Sequence, residues 1–214
     1  MNHLQDLVHI SHVLVDMHFS RGTSGNVSIR SEDRFMISLS GSQLGKLDET
    51  SFVPLSIATG EVLGSGNPSK EHALHRAFYE KNPAAQCVIH VHSPYAAAWS
   101  CMKPWQQNHA IPPMTPYVFL RAGQVPLLPY HQPGDAAMRD DVLTSPFHFT
   151  AALMANHGVV VSGTTPAEAL DTLIEIEEAC RIALLTYNHD ARLLDNNQIQ
   201  DLISSSNHFW DIDV

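Results

Sequence analysis

The run Cys87-Val88-Ile89-His90-Val91-His92 constrains the fold more than any other part of the chain. A short apolar run closed by Ser93-Pro94 reads as a buried strand. Residues i and i+2 of a strand point to the same side, about 6.5–7 Å apart, so His90 and His92 share one face. Their neighbours Val88, Ile89 and Val91 place that face in an interior where an unpaired polar ring is expensive. Two arrangements relieve the cost. Both rings can bond to nearby backbone, or both can meet one metal ion at about 2.0–2.1 Å per bond.

His157 bears on that choice. It lies in Asn156-His157-Gly158, a turn between the apolar runs Ala151–Ala155 and Val159–Val161. Glycine there permits φ > 0 and a close approach of backbone. A third imidazole carried by a rigid turn completes a three-histidine site with one position open for substrate. Glu71 is a fourth candidate, although by itself it reads better as a solvated carboxylate near the positive end of a helix. The chain has fourteen histidines against twelve Lys and Arg together. Of these, His3, His9, His12 and His18 fall on a first helix and His189 and His208 near the tail, where each reads as a surface residue.

Residues 1–214 read as one domain. With 44% hydrophobic residues the chain can bury a core. A formal charge of −10 argues against a nucleic-acid partner. No apolar run approaches the roughly 20 residues of a membrane span, and the start lacks the character of a signal peptide. Cys87, Cys101 and Cys180 are odd in number and have no CxxC spacing, so neither a disulfide framework nor a thiolate zinc site is expected. The expectation is a soluble, cytoplasmic protein that does not bind membranes.

The local signals alternate. An amphipathic helix opens the chain and stops at Arg21–Gly25. Val27–Arg30 and Arg34–Ile37 alternate as a hairpin. Ser69 is a candidate cap for a helix ended by Asn82-Pro83, and Tyr95–Trp99 begins another helix. Met102–Asp135 reads as mostly loop with short strands. Thr165-Pro166-Ala167-Glu168 is a capping box opening a long helix, and Asp195–Val214 reads as a short peripheral helix and a tail. Mixed strands and helices with hairpin-length connections indicate an α/β sandwich rather than a regular βαβ repeat. Gly25-Asn26-Val27-Ser28, Ser40-Gly41-Ser42 and Ser69 add loops rich in backbone N–H and hydroxyl groups, which bind phosphate without net positive charge.

Taken in order, Gly25-Asn26-Val27-Ser28, Ser40-Gly41-Ser42, Ser69-Lys70-Glu71, His90-Val91-His92 and Asn156-His157-Gly158 resemble the class II aldolase/adducin family from about Arg21 to Leu185. Pro68-Ser69-Lys70-Glu71, Thr115-Pro116-Tyr117 and Val125–Tyr130 with Pro133-Gly134-Asp135 are most similar to its 3-oxo-tetronate 4-phosphate decarboxylases. The resemblance implies a three-layer α/β sandwich with a central, mostly antiparallel sheet flanked by helices. It implies one zinc ion per subunit held by His90, His92 and His157, and a homotetramer with active sites at subunit boundaries. Glu71 would be the catalytic acid/base and would touch the metal when no substrate is bound. Asn26, Ser40, Gly41 and Ser69 would surround the substrate phosphate, with Gly25 shaping the loop. Tyr117 would donate a proton into a neighbouring subunit's site.

Sugar-phosphate aldolases of the family commonly carry two serines before the glutamate, and here Lys70 replaces the second. A cation there can meet the carboxylate of an acid substrate, or simply face solvent. Lys70 or Arg121 would set the field in the cleft. The implied reaction is loss of CO2 from a phosphorylated four-carbon keto acid, leaving an enediolate that becomes dihydroxyacetone phosphate, with Glu71 tuned toward neutral pH by burial. The alternatives are an aldolase, dehydratase or epimerase on the same fold, or a non-catalytic adducin-like interaction module. An eroded module should lack ligands, yet all three histidines and Glu71 stand here.

Overall fold

A computed structural model describes residues 3–206 and 208–211, His3 by its backbone only. In chain order the elements are α1 His3–Asp16, β1 Asn26–Ser31, β2 Arg34–Ser38, β3 Phe52–Ser56, α2 His72–Lys81, β4 Cys87–Val91, α3 Pro94–Trp99, α4 Tyr117–Arg121, β5 Leu127–Leu128, α5 Ala137–Thr144, β6 Ala151–Met154, β7 Gly158–Gly163, α6 Pro166–Thr186 and α7 Asn196–Ser204. The seven strands form one sheet in the order β3-β2-β1-β4-β7-β6-β5. Every pair is antiparallel except β5–β6.

Strand periodicity divides the core in two. Val27, Ile29, Cys87, Ile89, Val91, Leu153, Val159 and Val161 turn to one side, where α1, α3, α4, α6 and α7 cover them. Phe35, Ile37, Val88, Ala152 and Val160 turn to the other side, under α2 and α5. The result is a helix–sheet–helix sandwich with its mostly antiparallel strands in the middle layer. Among the described residues, no helix is long and apolar enough to cross a membrane.

Several local expectations change. Ser69 does not cap α2: the helix begins at His72, and the Ser69 hydroxyl accepts from the Glu71 N–H before it. Glu71 therefore sits at the helix entrance with its carboxylate free to turn away. At α6 only half of the expected box forms. Thr165 accepts from the Glu168 N–H, but the Glu168 carboxylate takes the N–H of Thr164 rather than that of Thr165. The stretch from Met102 to Asp135 holds the short helix α4 besides the two-residue β5. Nor is the chain end peripheral as far as it is described. Ile199 and Ile203 are buried, Trp210 packs on His109 and Phe119, and Asp211 accepts from Gln124 and the His148 N–H. Asn207 and residues 212–214 of that segment lie outside the described residues.

His109 is fully buried, and its Nδ1 accepts from the Val125 N–H. Burial lowers its pKa to about 3. The unfolded ring titrates near 6.5, so between those values the unfolded chain binds the extra proton, and stability falls as pH falls. His109→Asn keeps an acceptor near Val125 and does not titrate. Denaturant unfolding of metal-free protein between pH 6 and 4 should therefore show a dependence shallower by about 1 kcal/mol per pH unit in this variant than in wild type.

Candidate metal and catalytic site

His90 lies inside β4, and His92 is the first residue beyond its end. β4 pairs with β7 so that Val91 opposes Val159, which brings the turn before β7 against His92. The close approach there requires glycine: a Cβ on Gly158 would stand 2.5 Å from the Val91 carbonyl oxygen and 3.3 Å from His92 Cα. The positive φ of the turn belongs instead to Asn156, at 55°. Gly158 thus acts through contact distance, not through the left-handed backbone expected of it.

The three rings converge, with centroids 4.7–5.0 Å apart. His90, His92 and His157 form a group, among the described residues, able to hold a metal ion. His90 Nδ1 donates to the Val159 carbonyl at 2.9 Å, which leaves the lone pair on Nε2. That nitrogen lies 3.2 Å from His92 Nε2. Burial lowers the pKa of His92 to about 4 and also lowers that of His157, and in both His90 adds to the shift. Rings aiming nitrogens at one point, with His157 Nε2 buried and unpartnered, fit a divalent cation.

Glu71 closes the site. Its Oε1 lies 3.3 Å from His157 Nε2 and its Oε2 3.3 Å from His90 Nε2. Asn26 Nδ2 donates to Oε2 at 2.7 Å. Asn26 opposes His90 across the β1–β4 ladder, and Gly25 is needed beside it because a Cβ would approach the His90 carbonyl oxygen to 2.9 Å. Burial pushes the Glu71 pKa up, as expected. His90, the Asn26 amide, His157 and His75 outweigh it, and the net shift is downward. The shift runs opposite to the rise toward neutrality expected from burial alone.

The remaining candidates divide. Ser69 is buried and its N–H donates to Ser38, so the Pro68-Ser69 stretch runs beside Ser40-Gly41, joined also by a bridge between Leu39 and Pro68. Ser40 and Gly41 are exposed, with Gly41 at a φ of 75°. Lys70 is exposed and packs against Gly134. Tyr117 opens α4 in the opposite helical layer and is 59% exposed. Arg121 does not reach this cleft within one chain. It lines a cavity of about 300 Å3 with Lys81, Phe149 and Gly163, at the far ends of β4 and β7.

Two residues went unread in the sequence. Glu177 of α6 is buried and accepts from Ser93 Oγ at 2.6 Å and from the Tyr95 and Ala96 N–H groups at 2.8 Å each, pinning the turn after His92. Its signal was an acid on the apolar stripe of a long helix. His75 stands behind Asn26, its Nε2 2.5 Å from Asn26 Oδ1.

The profile of the Class II Aldolase and Adducin N-terminal domain matches residues 5–184. The chain belongs to this family. It is 34% identical to a 3-oxo-tetronate 4-phosphate decarboxylase of Haemophilus influenzae, over 92% of this chain and 93% of that protein. A 5-methylthioribulose-1-phosphate/5-deoxyribulose-1-phosphate aldolase of Rhodospirillum rubrum is more distant, at 27% over 80% and 76%. The crystal structure of YgbL from Klebsiella pneumoniae superposes with a TM-score of 0.88 at 32% identity, covering 94% of this chain and 97% of that one.

Glu177→Ala should leave three buried donors without their acceptor. We expect a loss of about 3 kcal/mol in denaturant unfolding, with Glu177→Gln falling between the two.

Proposed function

We propose that this protein is a metal-dependent carboxy-lyase that converts a 3-oxo-tetronate 4-phosphate to dihydroxyacetone phosphate and CO2. One observation carries the chemistry: Glu71 lies between two of three converging imidazoles, with one oxygen 3.3 Å from His90 Nε2 and the other 3.3 Å from His157 Nε2. The choice of decarboxylase over aldolase rests on relatives, with decarboxylases at 34% identity against an aldolase at 27%. His90, His92 and His157 would hold the ion, which we take to be zinc. Bound there, it supplies a Lewis acid for the substrate ketone and the neighbouring hydroxyl.

The substrate carries a hydroxyl between its ketone and its carboxylate. Glu71 starts as a base and takes the proton of that hydroxyl. When the carbon–carbon bond to the carboxylate breaks, CO2 leaves and the electron pair stays on the hydroxyl-bearing carbon. Glu71 then returns its proton to that carbon, and the product hydroxyl regains one from solvent. Net, one proton is consumed and one CO2 released. Gly25, Asn26, Ser40, Gly41 and Ser69 would receive the phosphate, Asn26 with the amide hydrogen not used on Glu71. Lys70 would meet the carboxylate. The exposed Tyr117 would act as proton donor in a neighbouring subunit of a homotetramer, and the enzyme would work in the cytoplasm as a single domain over residues 1–214.

The test is a coupled assay for dihydroxyacetone phosphate and CO2 with 3-oxo-tetronate 4-phosphate, run with and without a strong chelator. Both products should form and the chelator should abolish them; an aldehyde without CO2 from every candidate acid would move the reading to an aldolase. Glu71→Gln should retain the metal while turnover falls by about 10²–10⁴, and a near-normal rate would remove Glu71 from the reaction. His92→Ala should lose metal and activity together, as measured by atomic emission alongside the assay.

A further inference from the structure

The buried side of α2 carries an imidazole that the reaction above leaves unused. Glu71, His75 and Tyr79 follow one another at four-residue spacing, so they line one face of the helix entrance and helix. His75 is fully buried. Its Nδ1 lies 2.7 Å from Ser28 Oγ, which lies 2.7 Å from Tyr79 Oη. Its Nε2 lies 2.5 Å from Asn26 Oδ1, and Asn26 Nδ2 reaches Glu71 Oε2 at 2.7 Å.

The orientation of the Asn26 amide sets the direction of every bond. Asn26 Nδ2 is the atom that reaches Glu71 Oε2 and Oδ1 the atom beside His75, so the amino group faces Glu71 and the carbonyl faces His75. A carbonyl only accepts, so His75 carries its proton on Nε2. Nδ1 is then an acceptor, Ser28 donates to it, and Tyr79 donates to Ser28. Reversing the amide alone would set two acceptors against each other at Glu71 and two donors against each other at His75, all three residues being buried.

We propose that His75 is a positioning residue that locks the Asn26 amide in one orientation, keeps Glu71 Oε2 occupied by a donor, and so confines proton transfer to Oε1. This rests on Glu71 being the acid/base. Oε1 is the free oxygen: it is buried, has no hydrogen-bond partner and faces His157. With the amide reversed, the proton would settle on Oε2 between two acceptors, turned away from the reacting carbon. His75 touches Asn26 and Ser28 and acts on the reaction only through Asn26.

Glutamine at position 75 can place its amide nitrogen where Nε2 stands, whereas asparagine reaches only the Nδ1 position beside Ser28. With metal-loaded protein, His75→Gln should keep kcat within about threefold of wild type and His75→Asn should lower it about 10–100-fold. KM should stay within about twofold in His75→Gln and rise in His75→Asn, because a reversed Asn26 amide also withdraws its second hydrogen from the phosphate, and bound metal should match wild type in both by atomic emission. Adding His75→Asn to Asn26→Ala should cost nothing further. Equal loss in both His75 variants, no loss in His75→Asn, loss of metal, or multiplicative effects with Asn26→Ala would overturn the assignment. Should His75→Asn fail to fold, the rate of His75→Gln decides. Long-range 1H–15N NMR reads the tautomer without turnover: the Nε2–H form is expected, and an Nδ1–H or doubly protonated ring at neutral pH overturns the proposal. Wild-type protein that shows the expected tautomer yet does not turn over this acid refutes the substrate instead.

Discussion

The antiparallel pairing of β4 with β7 is the interaction on which the site depends. Its register sets Val91 against Val159 and His90 against Val160, and it places the Val159 carbonyl where His90 Nδ1 donates to it. One ladder therefore holds two of the three converging histidines in place: it orients the ring of His90 and delivers His157 from the turn that precedes β7. A slip of one residue would turn His90 to the opposite face and Ile89 to the site. The many apolar residues on both faces of this central pair make such a slip costly, so the core that stabilises the sheet also protects the geometry of the site.

The two faces of the sheet do different work. The face under α1, α3, α4, α6 and α7 is almost wholly apolar. The face under α2 carries a lane of polar groups, from Tyr79 and Ser28 through His75 and Asn26 to Glu71 and His90. Buried polar groups are tolerable only when each has a partner, and along this lane they do, up to Glu71 Oε1 and His157 Nε2. The unpartnered atoms of this lane fall at the convergence of the histidines, the group able to hold a metal ion. The low proton affinity of Glu71 has the same origin, because the neighbours that orient it also stabilise its charge.

A charge of −10 over the chain sits with an anionic substrate because distant exposed acids are screened within about 8–10 Å at physiological salt. Family membership extends over most of the chain and matches the layered sheet seen here.

Much of this was legible in sequence, for identifiable reasons. Alternation marked β1 and β2, a short apolar run closed by Ser93-Pro94 marked β4, and the spacing of His90 and His92 on that strand announced a shared face. The Asn156-His157-Gly158 turn marked the third ligand because glycine there meant a close approach, although its contact with Val91, and not its φ, proved to be the reason. The edge strand β3 was not read, because Pro54 interrupts its pattern, and α4 was hidden in a proline-rich stretch whose Thr115-Pro116 was a helix-entry signal. Local chemistry thus determined which residue types were available and on which face of its own element each would lie. Tertiary structure alone decided that Asn26 serves Glu71, that Glu177 anchors the turn after His92, and that Arg121 points away from the cleft. Those relations join residues 45 and 84 positions apart for the first two, and no periodicity within one element carries information about which distant element will pack against it.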